Sequence, residues 1–484
     1  MPKPGRLTGA TNLPMLTMTA LFIIVIIGSS FLPLTLQLPA ILLSLIGIAA
    51  VTLVSINRGA SIEGALVVPT VMSAFQNVYL LPFAAEYDEL RMQVIVIVNF
   101  LVALLLLALL LLSGAAARLT ATGSRLFRQA QISSLVVLLW GGLLMATNGI
   151  DPLAGFASLR NLWAPFLFLS LGLLAATWTP ANRYAQLLAG LGAAVIAFGF
   201  WEVANPHFWT DWNLEQLWEK KGIPVDPYTH LPPNFYSSEQ IEGNQIRRMV
   251  GPFADPVNLG TFIFAVTMCA WYVRRRVLLA VSLLAVILTV SKGAFLGCLI
   301  AVAVGIREYR SKFETLVAIT VVAIVAFLFY GYTQSSSTGS TTAHINGLTA
   351  AFAELPSNPL GRGLGGTGVL SGLLGEGGDS AIVESGVGMI VGQLGVVGLA
   401  TYAWFFYRII SWSLTVENPQ DRVMASVLAL AFFANAMFNE VALSPNSCAP
   451  YFVLLGLILG RAEIRKIVPA RDHRRESRRA TIDG

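Results

Sequence analysis

Apolar residues along this chain come in long unbroken blocks. One of them, FLVALLLLALLLLSGAAA, runs from Phe100 to Ala117 without a charge. A helical block of about 18 residues or more is long enough to cross a hydrocarbon core about 30 Å thick. Hydropathy places such spans near 14–33, 36–56, 62–83, 92–113, 132–149, 162–178, 184–204, 256–273, 277–291, 293–306, 315–332, 386–407, 422–440 and 449–460. The span at 62–83 is weakly apolar, and the pair flanking Ser291 is short. The expected fold is all-α: a polytopic integral-membrane bundle of about 14 transmembrane helices.

Composition supports that pattern. Of the 484 residues 55% are hydrophobic and 12% charged, where a soluble domain carries roughly 25% charged residues. The mean hydropathy is +0.70. The length alone suggests two or three soluble domains, but one membrane bundle accounts for the blocks better. Lys3 and Arg6 precede the first apolar block as they would in a signal peptide. The next span follows almost at once, so that block reads as a first helix. Cys269, Cys298 and Cys448 show no metal-ligand spacing and read as packing residues.

Charge then orients the spans. With the N-terminus inside, the cytoplasmic pieces hold 23 of the 31 Lys and Arg residues, the asymmetry expected of loops that stay inside. An even number of spans leaves both termini in the cytoplasm. Three regions follow: N-terminal transmembrane helices over 1–178, a transmembrane core over 179–460, and a basic cytoplasmic tail over 461–484. The tail suits contact with anionic membrane lipids and not nucleic acid.

Two connections break the rule of short loops. Both are extracytoplasmic in this arrangement, at 205–255 and 333–385. Long loops inside compact proteins are usually functional or disordered. The first carries Phe208, Trp209, Trp212, Trp218, Phe235 and Tyr236. Such a set serves either as an interfacial aromatic belt or as a surface on which sugar rings stack.

The outer face is poor in cations, so those present call for a reason. Arg160, Arg247, Arg248, Lys292 and Arg362 all fall near a span end or at the foot of a long loop. Converging, they would form one cationic pocket at the outer membrane boundary. An arginine fork pairs two oxygens at once and a lysine adds a point charge, which suits a diphosphate. The segment RRMVGPFADPVNLG (Arg247 to Gly260) ends at a helix start whose dipole would add positive potential. The segment LTVSKGAFLG (Leu288 to Gly297) turns between the two short spans. Glu384, just before a span, and His344 are the candidate bases for an acceptor hydroxyl. The outer acids show no DxD-like pair and no calcium-loop spacing, so no metal and no cofactor is expected.

At these segments the chain resembles the O-antigen ligase and O-antigen/exopolysaccharide polymerase superfamily. The resemblance covers about residues 180 to 405 and rests on three pieces. The first is Arg-x-x-Gly-Pro-Phe-x-x-Pro-x-x-Leu-Gly, from Arg248 to Gly260. The second is the Thr-x-Ser-Lys-Gly-Ala turn at Thr289 to Ala294, where many members carry Arg in place of Lys292. The third is an acid- or His-led signature, here Glu384-Ser385 followed by Gly395 and Gly398. Ligases that act on lipid A core usually have His at the position of Glu384. With the upstream run from His344 to NPLGRGLGGTG, that favours the polymerase branch.

The resemblance implies a GT-C-like bundle in a bacterial cytoplasmic (inner) membrane. It also implies metal-independent, inverting glycosyl transfer between undecaprenyl-diphosphate-linked glycans, one as donor and one as acceptor. Arg248 and Lys292 would hold the diphosphate, with Arg247, Arg362 and Arg160 in support. Glu384, aided by His344, would be the base or orient the acceptor. A chain-length regulator and a flippase are the implied protein partners. The competing readings are a ligase that transfers glycan to lipid A core and a lipid-linked oligosaccharide flippase. Transporters tend to show related halves and charges at mid-membrane. This chain shows no obvious internal repeat, and its span centres are nearly charge-free.

Overall fold

Helices follow the apolar blocks. The computed structural model describes residues 34–81, 89–220, 223–241, 244–309, 340–368 and 385–462, with scattered positions at 17–28 and 311–331. In chain order the helices are α1 (Leu34–Asn57), α2 (Glu63–Leu80), α3 (Glu89–Leu112), α4 (Ala121–Thr147), α5 (Pro152–Ala175) and α6 (Ala181–Ala204). The short α7 (Phe208–Asp211) and α8 (Leu214–Lys220) come next, then α9 (Pro256–Tyr272), α10 (Arg276–Thr289) and α11 (Lys292–Tyr309). The last four are α12 (Ser340–Glu354), α13 (Gly386–Ser413), α14 (Pro419–Phe438) and α15 (Pro445–Arg461). Six of these, α1, α4, α5, α6, α13 and α14, are long and apolar enough to cross a membrane. The chain is an α-helical membrane protein.

Each expected span from 36–56 to 293–306, and from 386–407 to 449–460, falls on a helix. The spans expected at 14–33 and 315–332 lie largely outside the described residues, as does the tail from 463 onward. Two starts differ from expectation. Helix α4 begins at Ala121 and not near 132, because Arg125, Arg128, Gln129 and Gln131 lower hydropathy without opposing a helix. Thr120 caps it, its hydroxyl accepting from the Gly123 amide at 3.0 Å. Helix α5 begins at Pro152 and not near 162. Asp151 accepts from the amides of Leu153 (2.6 Å) and Ala154 (3.2 Å), and proline suits a first helical turn.

The bundle centres on α5, buried over most of its length, and α15, almost wholly buried. They meet through small residues. A side chain at Gly172 would collide with the Val453 carbonyl, and one at Gly456 would stand 2.6 Å from the Leu169 carbonyl. Small residues let helix backbones approach closely where lipid supplies no hydrophobic drive. Around that crossing Phe166, Phe405, Phe452 and Phe432 form a chain of rings, with centroids 4.6 Å apart for Phe166–Phe405 and 4.7 Å for Phe432–Phe452.

Cross-links between helix ends define two faces of the bundle. At one, Thr179 accepts from the Ile62 amide, Arg461 donates to the Ala176 and Thr177 carbonyls, and Arg422 pairs with Glu308. At the other, Asn77 donates to the Phe253 carbonyl, Ser447 to Asn258 and Ser385 to the Met437 carbonyl. The second face carries the described parts of both long loops and is called the loop face below.

The first long loop folds as a small unit on that face. Helices α7 and α8 and a two-stranded antiparallel hairpin, β1 (Tyr236–Ile241) and β2 (Asn244–Arg247), enclose their own apolar cluster. Trp209, Leu214, Leu217, Trp218, Leu231 and Phe235 are buried there against Tyr79 and Leu80 of α2. Three of the rings expected in an interfacial belt or a sugar-stacking surface therefore belong to a core: Trp209 and Phe235 are 0% exposed and Trp218 is 7%. Of the expected set Trp212 remains accessible, at 48%. Asp226 closes a turn in the same loop, and the amides of Thr229 and Tyr228 hold its carboxyl below the usual aspartate range.

Helix α13 is broken. Gly395 has φ 60° and ψ −147°, which no continuous helix accommodates. The Gly-rich run after α12 is inserted at the break. Val396 donates to the Pro359 carbonyl, while Arg362 and Gly363 donate to the carbonyls of Gly392 and Gln393, each at 2.9 Å. The Trp140 indole donates to the Leu394 carbonyl at 3.1 Å. The Gln393 amide donates to the Thr367 carbonyl at 2.6 Å, and its oxygen accepts from Gly365 at 3.1 Å. Non-helical backbone at membrane depth is tolerated where protein satisfies it, and here it does. Gly395→Ala would place a Cβ on Pro359 and Leu360 at a positive φ, at an expected cost of about 3 kcal/mol or more. Gly190→Ala, with nothing within 4 Å of the new carbon, is expected to stay within about 0.5 kcal/mol. Thermal unfolding of the two purified variants in detergent measures the difference; equal midpoints would show that the inserted run contributes nothing.

Candidate functional site

The first two motif pieces meet directly. Arg248 follows β2, and its guanidinium reaches the turn between α10 and α11. Nε donates to the Thr289 carbonyl at 2.9 Å, Nη2 to the Val290 carbonyl at 3.3 Å, and Nη1 to the Asn234 carbonyl at 3.3 Å. The Met249 amide adds a bond to the Leu288 carbonyl at 2.9 Å. At a helix end the last carbonyls lack intrahelical partners, and Arg248 supplies donors to them. Val290 has φ 48°, a genuine outlier for a β-branched side chain. Two short helices are thereby joined through one strained residue, immediately ahead of Ser291 and Lys292.

Glycines set how closely these pieces approach. A Cβ at Gly260, near the start of α9, would overlap Ser291. One at Gly293 would overlap the Asn435 side chain. Asn435 is 5% exposed and donates to the Thr261 hydroxyl at 3.1 Å, so α14 meets the second motif piece and the residue that follows the first. Asp255 caps α9 through the amides of Val257 (2.7 Å) and Asn258 (3.1 Å). The Asn258 carboxamide oxygen accepts from Ser447 at 2.8 Å and from Ser444 at 3.3 Å, fixing the start of α15.

The third piece enters beside them. Ser385 is buried and caps α13, accepting from the Gly388 amide at 3.0 Å. Its hydroxyl donates to the Met437 carbonyl at 2.6 Å, two residues from Asn435. Gly386 lies against the carbonyls of Ala436 and Asn439. Glu384 itself, and the loop from 369, lie outside the described residues, as does the side chain of His344. The backbone of His344 is in α12, which packs on α13 and α14.

The other expected cations sit in separate arrangements. Arg247 pairs with Glu202 near the end of α6, donates to the Arg248 carbonyl at 2.6 Å, and lies over the Phe235 ring at 4.7 Å. Arg362 pairs with Glu354 at 2.9 Å beside the Gly-rich run. Arg160 is not at a span end as expected. The early start of α5 places it inside the helix, with Nη2 3.5 Å from the Asn161 oxygen and a buried Nε that has no partner among the described residues. Lys292 is half-buried in the first turn of α11, where a cation opposes the helix dipole.

Helices α9, α11, α13 and α15 all start at this face, so four positive dipole ends surround the cluster. The arrangement suits an anion with several oxygens. Sequence reasoning missed two buried acids here, Glu202 (0% exposed) and Glu440 (5%). A lone acid near the end of an apolar span was the available signal for each. A cavity of about 470 Å³ opens at the opposite face, where Tyr272, Asp421 and Arg461 are among its lining residues, and takes no part in this cluster. Comparison with family models and with curated proteins finds no match for the chain.

Removing one member of a buried ion pair strands the other, at about 3–5 kcal/mol. Glu202→Gln alone and Arg247→Met alone are each expected to cost about 3 kcal/mol, and the double variant less than their sum. A double-mutant cycle on thermal or denaturant unfolding tests this; additive losses would show that the pair is not coupled.

Proposed function

We propose that this chain polymerises undecaprenyl-diphosphate-linked oligosaccharide repeat units into a surface polysaccharide, by metal-independent inverting transfer at the outer face of a bacterial cytoplasmic membrane. The observation that carries the reading is the contact of Arg248 with the Thr289–Val290 turn. It brings together, at one face of an apolar bundle, two motif pieces that lie about 40 residues apart. Asn435 and Met437 connect both to the start of α13, the third piece.

In this reading the loop face is extracytoplasmic. The opposite face bears Arg58, Arg118, Arg183, Arg274, Arg275 and Arg276 near its helix ends, the bias of a cytoplasmic surface. About 14 spans with both termini inside complete the topology. Arg248 and Lys292 hold the donor diphosphate, with the helix dipoles adding to their field. Arg247 and Arg362 shape the rim, and Arg160 lies deeper along α5. Bond cleavage puts negative charge on the leaving diphosphate, and cations fixed in advance lower that barrier without reorganising. Glu384 acts as the base or orients the acceptor hydroxyl, and His344 on α12 stands on the same loop.

Reconstitution with a defined undecaprenyl-diphosphate-linked repeat unit tests the proposal. Longer glycans are expected without nucleotide sugar and in the presence of a chelator. Arg248→Ala and Lys292→Ala are each expected to slow elongation about 100-fold or more, and Glu384→Gln to shift the products toward single repeat units. Failure of the unaltered protein to lengthen the glycan, or unimpaired elongation by both cation variants, would sink it.

A further inference from the structure

We infer that Glu440 is the group that takes the proton from the acceptor hydroxyl, leaving Glu384 to orient that acceptor; the inference rests on the polymerase reading above. Glu440 opens a single 3₁₀ turn, Glu440–Leu443, between α14 and α15 at the loop face. It is 5% exposed, between the apolar end of α14 and the start of α15. Burying a carboxylate there is costly, and residues of that kind in membrane bundles mark functional paths.

Its position is what singles it out. On one side, Asn439 and Ala436 touch Gly386 through their carbonyls, next to Ser385 and the entry of the third motif. On another, Ser444 at the end of the turn donates to Asn258 of the first motif at 3.3 Å. One turn earlier on α14, Asn435 contacts Gly293 of the second. The fourth neighbour is Gly368, the last glycine of the inserted run. A Cβ there would stand 2.9 Å from the Glu440 Oε2, so glycine leaves the carboxylate room that any other residue would fill. The residues that flank Glu440 therefore touch all three motif pieces, and its own carboxylate meets the end of the Gly-rich run.

The step balances with groups already named. The acceptor hydroxyl oxygen forms a bond to the anomeric carbon of the donor from the face opposite the diphosphate, and its proton passes to the Glu440 carboxylate. The bond from the anomeric carbon to the diphosphate oxygen breaks, and its electron pair leaves on the diphosphate held by Arg248 and Lys292. The configuration inverts, and Glu440 later releases the proton to water.

The test compares full-length wild type, Glu440→Gln, Glu440→Asp and Glu384→Gln, reconstituted with a defined undecaprenyl-diphosphate-linked repeat unit, over about pH 4.5 to 8. Glu440→Gln is expected to lower kcat about 100-fold or more, with KM within about threefold, and to abolish the fall in rate on the acid side. Glu440→Asp is expected to keep the acid-side fall and to lose about tenfold in kcat. Glu384→Gln is expected to raise KM and keep the acid-side fall. A merely structural role for Glu440 would change stability without removing the pH dependence. An elongating wild type beside a Glu440→Gln variant with near-normal kcat or an intact acid side overturns the role of Glu440 alone. A wild type that does not elongate overturns it together with the reading beneath it. If Glu440→Gln does not fold, Glu440→Asp decides, and an unchanged kcat overturns the assignment.

Discussion

Backbone that leaves the helical path inside an apolar slab must find its hydrogen bonds within the protein. That constraint organises the loop face. The chain departs from regular helix at Val290, between α10 and α11, and at Gly395 inside α13. Each break is closed by a segment far away in sequence. At Val290 the donors come from the Arg248 guanidinium. At Gly395 they come from Arg362, Gly363 and Trp140, and Pro359 supplies the acceptor. Both closures draw on the long loops, so the loops are structural parts of the bundle as well as its outer covering.

Much of this was legible in the sequence. Block lengths located the helices, since an apolar run of span length has few other folded uses. The short Ser291 turn and the Gly-rich run were legible as irregular, because glycine and proline interrupt helices for steric reasons. Arginine-rich helix starts were not legible: α4 runs from Ala121 through Arg125 and Arg128, which hydropathy scores as loop. The aromatic loop was misjudged for a related reason. Composition cannot distinguish a ring offered to a ligand from one that fills a small core, and Trp209 and Phe235 fill one. Glu202 and Glu440 each left one signal, a lone acid near the end of an apolar span, but the burial that sets them apart belongs to the fold.

The glycines of the third signature acquire a physical reason. Gly395 is needed for its positive φ at the helix break, and Gly398 for the lack of a Cβ against Leu394. Neither touches the candidate site. They let Pro359 to Gly365 reach into α13 and so fix where the run ends, at Gly368 against Glu440. A spacing that reads as a sequence signature is, on this account, a description of how one loop is seated.

The cations differ in the groups that hold them. Arg247 faces the buried carboxylate of Glu202, and Arg362 faces Glu354; for each the local charge balances, and removal of the arginine is first a structural loss. Arg248 donates to the backbone carbonyls of Thr289, Val290 and Asn234. Lys292 adds a second positive group in the first turn of α11, where the helix dipole disfavours it. Under the proposed function, Arg248 and Lys292 meet the departing diphosphate at the turn where the first two motif pieces touch, and the strain at Val290 is the cost of presenting that turn.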